Sequence, residues 1–358
     1  MLYPSRTPEL YFRAFEGSSP LGSCMPAEKA GRALRALVTG ISGFVGSHLA
    51  EYLLAHTDWQ VAGTVYGPAD DIAHLENRLV LSPADLSRSA VVCDILQATR
   101  PDYIFHLAAQ SSPALSRSDP WFTLETNIRV QLNILDGVVR TGLASRLLVV
   151  GSGHEYGLVT PDDLPIVEET PLRPATPYAV SKIAQDYLGL QYWLSHGVRA
   201  IRVRPFNHIG PRQRKGFVAA DFASQIAEIE AGLRPPEVVV GTLDVSRDLT
   251  DVRDIVRGYY LALTQGEPGE VYNLGSEREC TTRALLETLI SLAKLEVHIV
   301  QNPGLLRSSD VPRVVSDCRK LRERTGWRVE IPFEQSLRDL LDYWRGQVAV
   351  EGECKTDN

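Results

Sequence analysis

A tyrosine and a lysine stand four residues apart in the segment Tyr178-Ala-Val-Ser-Lys182. Residues at this spacing share one face of a helix, so the phenol and the ammonium group would be neighbours. A nearby cation favours the ionised phenol and is expected to lower its pKa from about 10 toward neutrality, which makes Tyr178 a usable acid or base. Ser152, at the end of an earlier apolar strand, offers a hydroxyl that would hydrogen-bond the substrate oxygen with which Tyr178 exchanges its proton.

A glycine-rich turn earlier in the chain indicates what kind of ligand would bind near Tyr178. The segment Gly40-Ile-Ser-Gly43-Phe-Val-Gly46 lies between an apolar strand and a helix. Such glycines let the backbone approach a pyrophosphate, and the helix N-terminus favours its negative charge. A tight turn without a ligand is the alternative. The pattern Tyr-x-x-x-Lys is common by chance. Its occurrence in one chain with this glycine turn and Ser152 is poorly explained by chance, so we expect a dinucleotide cofactor.

The end of the second strand should carry the residue that reads the ribose of the cofactor. There, Thr64-Val65-Tyr66-Gly67 offers neither the acidic residue that favours NAD nor the arginine that favours NADP. The choice between NAD(H) and NADP(H) therefore stays open. Asp85 and Leu86, after the third strand, are placed to meet the adenine, although an exposed turn is the alternative for Asp85.

These residues must be positioned by alternating strands and helices. The apolar pattern predicts strands over residues 34–39, 60–65, 78–81, 103–107, 146–150 and 198–203. It predicts helices over 44–55, from a cap at Ser87 to Arg100, over 119–141, and from a Thr176-Pro177 start to His196. Continuously apolar strands that alternate with helices indicate a parallel sheet covered on both faces. After Pro205 the alternation is less regular.

With these motifs, the sequence resembles the extended short-chain dehydrogenase/reductase family, and within it the nucleotide-sugar enzymes of the GDP-mannose branch. The family likeness is carried by Thr39-Gly40-Ile-Ser-Gly43-Phe-Val-Gly46, His106-Leu-Ala-Ala-Gln110-Ser111, Gly151-Ser152, Tyr178-Ala-Val-Ser-Lys182 and Arg204-Pro-Phe-Asn207-His. The branch is indicated by Tyr156-Gly157, Asn207-His-Ile-Gly-Pro, Arg247-Asp248-Leu-Thr-Asp251-Val-Arg-Asp254 and Arg307-Ser-Ser-Asp310-Val-Pro.

The resemblance implies a fold of the α/β class, a Rossmann-type doubly wound parallel sheet with a smaller, interleaved C-terminal α/β substrate domain. We expect the cofactor domain over residues 33–206 plus 237–275, the substrate domain over 207–236 plus 276–348, and a tail over 349–358. Residues 1–32, rich in Pro, Gly and Ser, are expected to be a disordered or misannotated extension, with Met25 as a possible natural start. The resemblance also implies a homodimer through helices 119–141 and 177–196. Burial of those helices under the C-terminal domain is the alternative.

The resemblance further implies a role for individual residues. Those expected to bind the cofactor are Gly40, Ser42, Gly43, Phe44 and Val45 at the pyrophosphate, Asp85 and Leu86 at the adenine, Leu107, Ala108, Ala109 and Gln110 beneath the nicotinamide half, and Tyr178 and Lys182. Ser152, Tyr178 and Lys182 form the implied catalytic triad. The implied substrate residues are Ser152, His154, Asn207, Arg247, Arg307 and Asp310.

A guanidinium group at position 247 suits a diphosphate, because it binds phosphate oxygens through paired charge-assisted hydrogen bonds. A solvated salt bridge to Asp248 or Asp251 is the alternative for Arg247. Nearby, Arg212, Arg214 and Lys215 either supply local positive charge for an anionic ligand or form a solvated loop.

Two reactions of this branch start from the same fold and the same Tyr/Lys pair. Reduction of a C4 ketone needs a hydride and a proton. Dehydration also needs a group that removes the C5 proton and expels the C6 hydroxyl, which in the dehydratases is a Glu two residues after the Ser/Thr. Here that position is His154, and the neighbouring Glu155 points in another direction. Dehydratases of this branch also usually have Gly-Gln-Asp-Gly in place of Gly43-Phe-Val-Gly46.

We therefore expect NAD(P)H-dependent reduction of the C4 ketone of GDP-4-dehydro-6-deoxy-D-mannose to GDP-D-rhamnose. The alternatives are GDP-mannose 4,6-dehydration, another NDP-sugar epimerase or dehydratase activity, and a catalytically silent cofactor-binding regulator. The presence of Ser152, Tyr178 and Lys182 argues against the silent regulator.

Composition bounds these expectations. A chain of 358 residues with 44% hydrophobic residues is long enough for two domains, and its formal charge of -7 argues against nonspecific nucleic-acid binding. No apolar run approaches the ~18 residues that a membrane-spanning helix needs. The five cysteines are scattered without metal-site spacing, so we expect a cytoplasmic protein with free thiols and no metal.

Overall fold

Strands and helices alternate regularly in the first part of the computed structural model, which describes residues 32–305 and 311–356, without the side chains of Pro113 and 351–356. The elements in this part are β1 (Arg35–Thr39), α1 (Phe44–His56), β2 (Gln60–Val65), β3 (Val80–Pro83), α2 (Ser89–Thr99), β4 (Tyr103–His106), α3 (Pro113–Ser118), α4 (Pro120–Thr141), β5 (Arg146–Val150), α5 (Pro177–His196) and β6 (Arg199–Pro205). The expected extension, residues 1–32, lies almost wholly outside the described residues.

The remaining elements are shorter and more varied. They are β7 (Asn207–Ile209), α6 (Val218–Glu230), β8 (Glu237–Val240), β9 (Ser246–Asp251), α7 (Val252–Gln265), β10 (Val271–Leu274), β11 (Glu279–Thr281), α8 (Thr282–Ala293), β12 (His298–Gln301), α9 (Arg319–Thr325) and α10 (Phe333–Thr356). The apolar pattern did not predict α3, β7, β9 or β11, since short strands with polar residues carry little periodic signal.

Seven parallel strands form the main sheet, in the order β10-β6-β5-β4-β1-β2-β3. The chain runs outward from β1 through β2 to β3, and then returns to the other side of β1 to add β4, β5 and β6. Two hydrophobic clusters, one on each face, bury strand residues such as Phe105 and Leu147 completely. This arrangement confirms the predicted Rossmann-type doubly wound sheet. In such a sheet, ligands bind at the carboxyl ends of the strands where the order reverses, here between β1 and β4.

The smaller part of the fold is built around two small sheets, β11-β9-β7 and β12-β8. Its core is a separate cluster in which α6, α8 and α10 meet, with Phe222, Leu286 and Leu340 buried. Because β8 and β9 pair within these small sheets, residues 237–251 lie with the substrate part rather than with the cofactor part. We therefore propose a domain boundary at Val252 instead of 237, with α7 and β10 belonging to the large sheet.

Two predicted element ends differ from the structure. Ser87 does not cap α2, because its backbone N–H donates to the Asp85 carboxylate at 3.0 Å in a turn that delays the helix to Ser89. The predicted tail from residue 349 is helical, since α10 continues to Thr356. Val348, immediately before the predicted tail, is buried against the core formed by α6, α8 and α10. Among the residues described, no helix has the length and apolarity needed to span a membrane.

Candidate active site

One cavity of about 1620 Å³ extends from the carboxyl ends of the large-sheet strands to the small sheets. The described residues that the resemblance assigns to the cofactor, the substrate or catalysis all line it, namely Gly40, Ser42, Gly43, Phe44, Val45, Asp85, Leu86, Leu107, Ala108, Ala109, Gln110, Ser152, His154, Tyr178, Lys182, Asn207 and Arg247. Arg307 and Asp310 lie outside the described residues. The fold thus brings together residues that are far apart in the sequence.

The glycine turn is packed directly against the start of α1. Gly40 has a positive φ of 68°, and Gly43 is the N-cap of α1 without a side-chain cap. A Cβ at Gly46 would lie 2.2 Å from the Gly40 carbonyl oxygen, so only glycine allows this close approach. The first turn of α1 carries no acidic residue. Residues Gly43 to Gly46 at this helix start line the cavity, and the N–H groups of a helix N-terminus suit the pyrophosphate of a dinucleotide.

A buried threonine holds the loop that follows β4. Thr39 Oγ1 accepts hydrogen bonds from the backbone N–H groups of Leu107 and Ala108, both at 3.1 Å, and lies 2.8 Å from His106 Nδ1. Burial, followed by the charge of Lys182, lowers the pKa of His106 to about 3. The imidazole is therefore neutral, and its Nδ1 accepts the threonine proton.

The residues at the adenine end of the cavity offer few groups that would distinguish one cofactor from another. Asp85 is exposed, and hydrogen bonds with the side chain and then the backbone N–H of Ser87 lower the pKa of its carboxylate. Leu86 is buried, and Tyr66, at the end of β2, is 83% exposed while lining the cavity. A phenol at this position does not distinguish a ribose hydroxyl from a phosphate as a carboxylate or guanidinium would.

Tyr178, Lys182 and Ser152 meet at the centre of the cavity. Thr176 caps α5 by accepting from the N–H of Ala179, and Pro177 begins the helix, as predicted. Tyr178 and Lys182 therefore share one face of α5, with Lys182 Nζ 5.9 Å from the centre of the Tyr178 ring. Lys182 Nζ donates to the Val150 carbonyl oxygen at 3.0 Å, which links α5 to the end of β5 next to Ser152.

The expected lowering of the Tyr178 pKa is wrong for this structure. Burial raises it to about 12, although a hydrogen bond with Ser152 opposes the shift. Burial likewise lowers the pKa of Lys182 to about 8, against the opposing charge of Glu155. For both groups, the effect of burial on the pKa is thus larger than the effect of the neighbouring side chain. Tyr178 is a neutral phenol that can donate its proton.

His154 and Glu155 face opposite directions. The His154 ring is exposed and meets the Tyr178 ring edge-on at 6.1 Å between ring centres. The Glu155 side chain is completely buried, and its Oε1 accepts the Ser152 backbone N–H at 2.7 Å. The residue next to the expected dehydratase position therefore points away from the cavity.

The far end of the cavity is lined by Asn207 and Arg247. Arg247 is half-buried, and its Nη1 donates to the carbonyl oxygens of Ser246 and Val311 at 2.8 and 2.7 Å. The acids considered as its alternative partners have other contacts: Asp248 accepts from Ser276 and Ser316, whereas Asp251 caps α7 and pairs with Arg253.

The positive charge around this end differs from the predicted cluster. Arg212 does not line the cavity, because its guanidinium binds both carboxylate oxygens of Glu51 on α1 at 2.8 and 2.7 Å. Arg214 and Lys215 do line it, with Lys215 paired to Glu228 at 2.8 Å. Arg234, which no sequence motif indicates, lines the same wall.

The sequence analysis also missed Ser116 and Arg117, which reach the cavity from α3. The start of this short helix has a usable signal, since Ser112 caps it and Pro113 occupies its first turn. Within residues 32–305 and 311–356, no group of His, Cys, Asp or Glu side chains could hold a metal ion.

Comparison with known proteins identifies relatives along almost the whole chain. Residues 37–340 match the family model described as GDP-mannose 4,6 dehydratase. GDP-6-deoxy-D-mannose reductase of Pseudomonas aeruginosa is 40% identical over 88% of this chain and 99% of that protein. Human GDP-mannose 4,6 dehydratase is 26% identical over 86% of this chain and 90% of that protein.

Solved structures give the same result. The structure of RMD from Pseudomonas aeruginosa complexed with NADPH superposes with a TM-score of 0.78 at 39% identity, covering 88% of this chain and 100% of that one. UDP-glucose 4-epimerase of Thermotoga maritima, with UDP-glucose, gives a TM-score of 0.80 at 26% identity, with coverage of 88% and 100%.

Proposed function

Since this chain belongs to the GDP-mannose 4,6-dehydratase family, we propose that it catalyses the NAD(P)H-dependent reduction of the C4 ketone of GDP-4-dehydro-6-deoxy-D-mannose to GDP-D-rhamnose. The observation that carries the proposal is its 40% identity to a GDP-6-deoxy-D-mannose reductase over 99% of that protein. The chemistry of the cavity supports it in four respects: the cofactor site, the proton donor, the residue at position 154 and the charge near the small sheets.

The glycine turn and the loop after β4 would hold the cofactor. Gly40, Ser42 and Gly43 would surround the pyrophosphate, and Leu107 to Gln110 would lie beneath the nicotinamide half. When bound, the reduced dinucleotide supplies a hydride to the ketone carbon. The relative from Pseudomonas aeruginosa was solved with NADPH. Tyr66 favours neither cofactor, so the proposal covers both.

Tyr178 would deliver the proton that completes the reduction. As the ketone becomes an alkoxide, the phenol gives its proton to that oxygen, and the Ser152 hydroxyl stabilises the developing charge by a hydrogen bond. A pKa raised to about 12 keeps Tyr178 protonated before the reaction.

The segment after Ser152 lacks a carboxylate that faces the substrate. His154 is exposed toward Tyr178, whereas the Glu155 carboxylate is buried on the Ser152 N–H. Without a carboxylate to remove the C5 proton and expel the C6 hydroxyl, dehydration lacks its acid and base. We therefore propose His154 as a substrate-binding residue.

Asn207 and Arg247 would bind the GDP moiety, with Arg214 adding positive charge along the same wall. Arg234 and Lys215 also lie there, both paired with Glu228. Arg307 and Asp310 are proposed for the same role on the resemblance alone. The acidic chain thus concentrates positive charge where an anionic substrate needs it.

We also propose that the protein is a homodimer and that it works in the cytoplasm. On α5, Val180, Tyr187 and Leu194 recur every seven residues and are 44%, 51% and 73% exposed. Trp121, at the start of the neighbouring α4, is 69% exposed. Because the stripe is apolar and runs along two packed helices, a second copy of the same face is its best partner. Free thiols at Cys93, Cys280 and Cys318 suit a reducing compartment.

The test supplies freshly prepared GDP-4-dehydro-6-deoxy-D-mannose with NADH or NADPH. We expect loss of reduced-nicotinamide absorbance and formation of GDP-D-rhamnose, with the faster cofactor revealing the preference. A parallel incubation with GDP-mannose alone should leave it unchanged. Formation of a 4-keto-6-deoxy product in that incubation would replace the reductase by the dehydratase.

A further inference from the structure

A buried ionic network lies beneath Ser152. Glu155 is completely buried; its Oε1 accepts the Ser152 backbone N–H at 2.7 Å, and its Oε2 lies 3.0 Å from Arg204 Nε. Arg204 is itself buried, at 3% exposure. Burial, followed by the charge of Asp186, raises the pKa of Glu155 to about 8. One carboxyl group therefore lies between the backbone of Ser152 and a buried guanidinium in the neighbouring strand β6.

The same guanidinium reaches the helix that carries the other two candidate catalytic residues. Arg204 donates to Asp186 Oδ2 at 2.5 Å through Nη2, and Arg202 donates to Asp186 Oδ1 at 2.9 Å. Asp186 is completely buried on α5, four residues after Lys182 and eight after Tyr178, hence on their face of the helix. The network thus spans the gap between the end of β5 and α5.

The backbone next to Ser152 has no side chain where this carboxylate lies. A Cβ at Gly151 would be 2.2 Å from Glu155 Oε1 and 3.1 Å from the Val203 carbonyl oxygen. Any side chain at position 151 would therefore push Glu155 off the Ser152 N–H. Glycine at this position and the buried glutamate form one local arrangement.

A net gain in stability is a weak reason for the network, because replacing a buried ion network with apolar groups is often neutral or stabilising, although removing a single partner is costly. Proton transfer to the Ser152 hydroxyl does not explain it either, since Glu155 Oε1 is bonded to the backbone nitrogen rather than to Oγ. Ser152 Oγ instead accepts the N–H of His154 at 3.2 Å. The role that these contacts support is geometric: the network holds the backbone of Ser152 in place relative to α5.

We propose that Glu155 is a positioning residue for the ketone reduction. Through the Ser152 N–H and the Arg204–Asp186 link, it sets the distance between the Ser152 hydroxyl and the Tyr178 phenol, so that both reach one substrate oxygen. A displacement of about 1 Å between reacting groups is enough to cost about 100-fold in rate. This inference rests on the proposed reductase function.

The test compares Glu155→Gln, Gly151→Ala and the double variant with the wild type. Gln keeps the volume of Glu, but it must present an amide N–H₂ group either to the Ser152 N–H or to the Arg204 guanidinium, whose Nε lies 3.0 Å from the second Glu155 oxygen. We expect kcat to fall by about tenfold to 100-fold, while KM for the sugar nucleotide and Kd for NADPH change less than threefold. Gly151→Ala should reproduce the effect, and the double variant should be no slower than the slower single variant, because both changes break one arrangement.

Glu230→Gln is the matched control, since Glu230 binds Arg345 through both oxygens and does not line the cavity. It should leave kcat unchanged. An unchanged kcat for Glu155→Gln, or a loss that only follows the unfolded fraction, would overturn the positioning role.

A second measurement does not depend on activity. Hydrogen exchange of the Ser152 amide should be faster in Glu155→Gln than in the wild type, and unaltered exchange would contradict the proposal. If the wild type fails to reduce the ketone, the proposed function is wrong, whereas the exchange experiment still decides whether Glu155 holds Ser152.

Discussion

Tyr178 is a half-buried phenol whose proton is retained because the surrounding protein excludes water. Burial disfavours the charged form of each group, and this acts in opposite directions on a phenol and an ammonium: the pKa of Tyr178 rises to about 12 and that of Lys182 falls to about 8. The pair is therefore suited to giving a proton rather than taking one before the cofactor binds.

Replacement of the phenol tests the proton-donor role. We expect Tyr178→Phe to reduce kcat by about 100-fold or more, as positioned acids typically contribute 10²–10⁴, with little change in NADPH affinity. Tyr187→Phe removes a phenol from the exposed side of the same helix and should retain full activity. Ketone reduction by Tyr178→Phe at the wild-type rate would refute the assignment.

Lys182 makes a prediction about stability and pH. Its pKa is about 8 in the folded protein against 10.5 when unfolded, so the buried charge destabilises the fold below pH 8. Between pH 8 and 10.5 the unfolded chain binds more protons, and this cost declines as pH rises. Lys182→Met should abolish activity yet increase the free energy of unfolding at pH 7 by on the order of 2 kcal/mol.

The increase in unfolding free energy caused by Lys182→Met should be smaller at pH 10 than at pH 7. Urea unfolding of the apoprotein at both pH values measures it, with Lys320→Met, which removes a partly exposed lysine paired to Glu270, as the control. An apoprotein that becomes less stable on Lys182→Met at pH 7 would contradict the argument.

At the scale of elements, α5 combines three tasks on two faces. Its inner face carries Tyr178 and Lys182, Asp186 continues that face into the buried network, and its outer stripe is the proposed dimer surface. Helix α1 has a simpler task, in which its uncapped N-terminus borders the cofactor end of the cavity and its first turn packs against the glycine turn.

The packing of α1 gives a matched pair of glycine substitutions. Gly46→Ala places a Cβ 2.2 Å from a backbone oxygen, so we expect a loss of about 2 kcal/mol in unfolding free energy and weaker NADPH binding. Gly346→Ala, on the exposed side of α10 with no atom within 4 Å, should instead stabilise by about 0.5–1 kcal/mol. Thermal unfolding and cofactor titration measure both, and equal effects at the two sites would disprove the packing argument.

At the scale of the whole molecule, the cavity joins two parts of the fold, and residues from the large sheet and the small sheets reach it together. Arg212 contributes to this joint from outside the cavity, since its pairing with Glu51 ties the loop after β7 to α1. The cofactor end and the proposed GDP end are thus connected by charge as well as by the chain.

The proposed dimer is a prediction at the same scale. Leu194→Glu introduces a charge into the stripe on α5, where Leu194 is 73% exposed. We expect light scattering to show a mass of two chains for the wild type and one chain for this variant. Leu233→Glu, at a site 62% exposed outside the stripe, should stay dimeric. A monomeric wild type would exclude the dimer.

The sequence by itself determined the features that depend on local geometry. The strand–turn–helix at Gly40 to Gly46 and the start of α5 at Thr176-Pro177 follow from backbone conformation and capping, and the shared face of Tyr178 and Lys182 follows from the helical repeat. Alternation of apolar strands and helices likewise predicted a parallel sheet covered on both faces, and the family resemblance added its doubly wound order. Each of these rests on residues close together in the chain.

Only the tertiary structure decided the features that depend on distant partners. It reversed the pKa direction of Tyr178, since burial is set by the whole fold. It paired Arg212 with Glu51, 161 residues away, and placed β8 and β9 in the small sheets. The buried position of Glu155 also depends on Arg204, from another strand. Solvent exclusion and charge pairing depend on residues that are close in space, so they cannot be predicted from residues that are adjacent in the sequence.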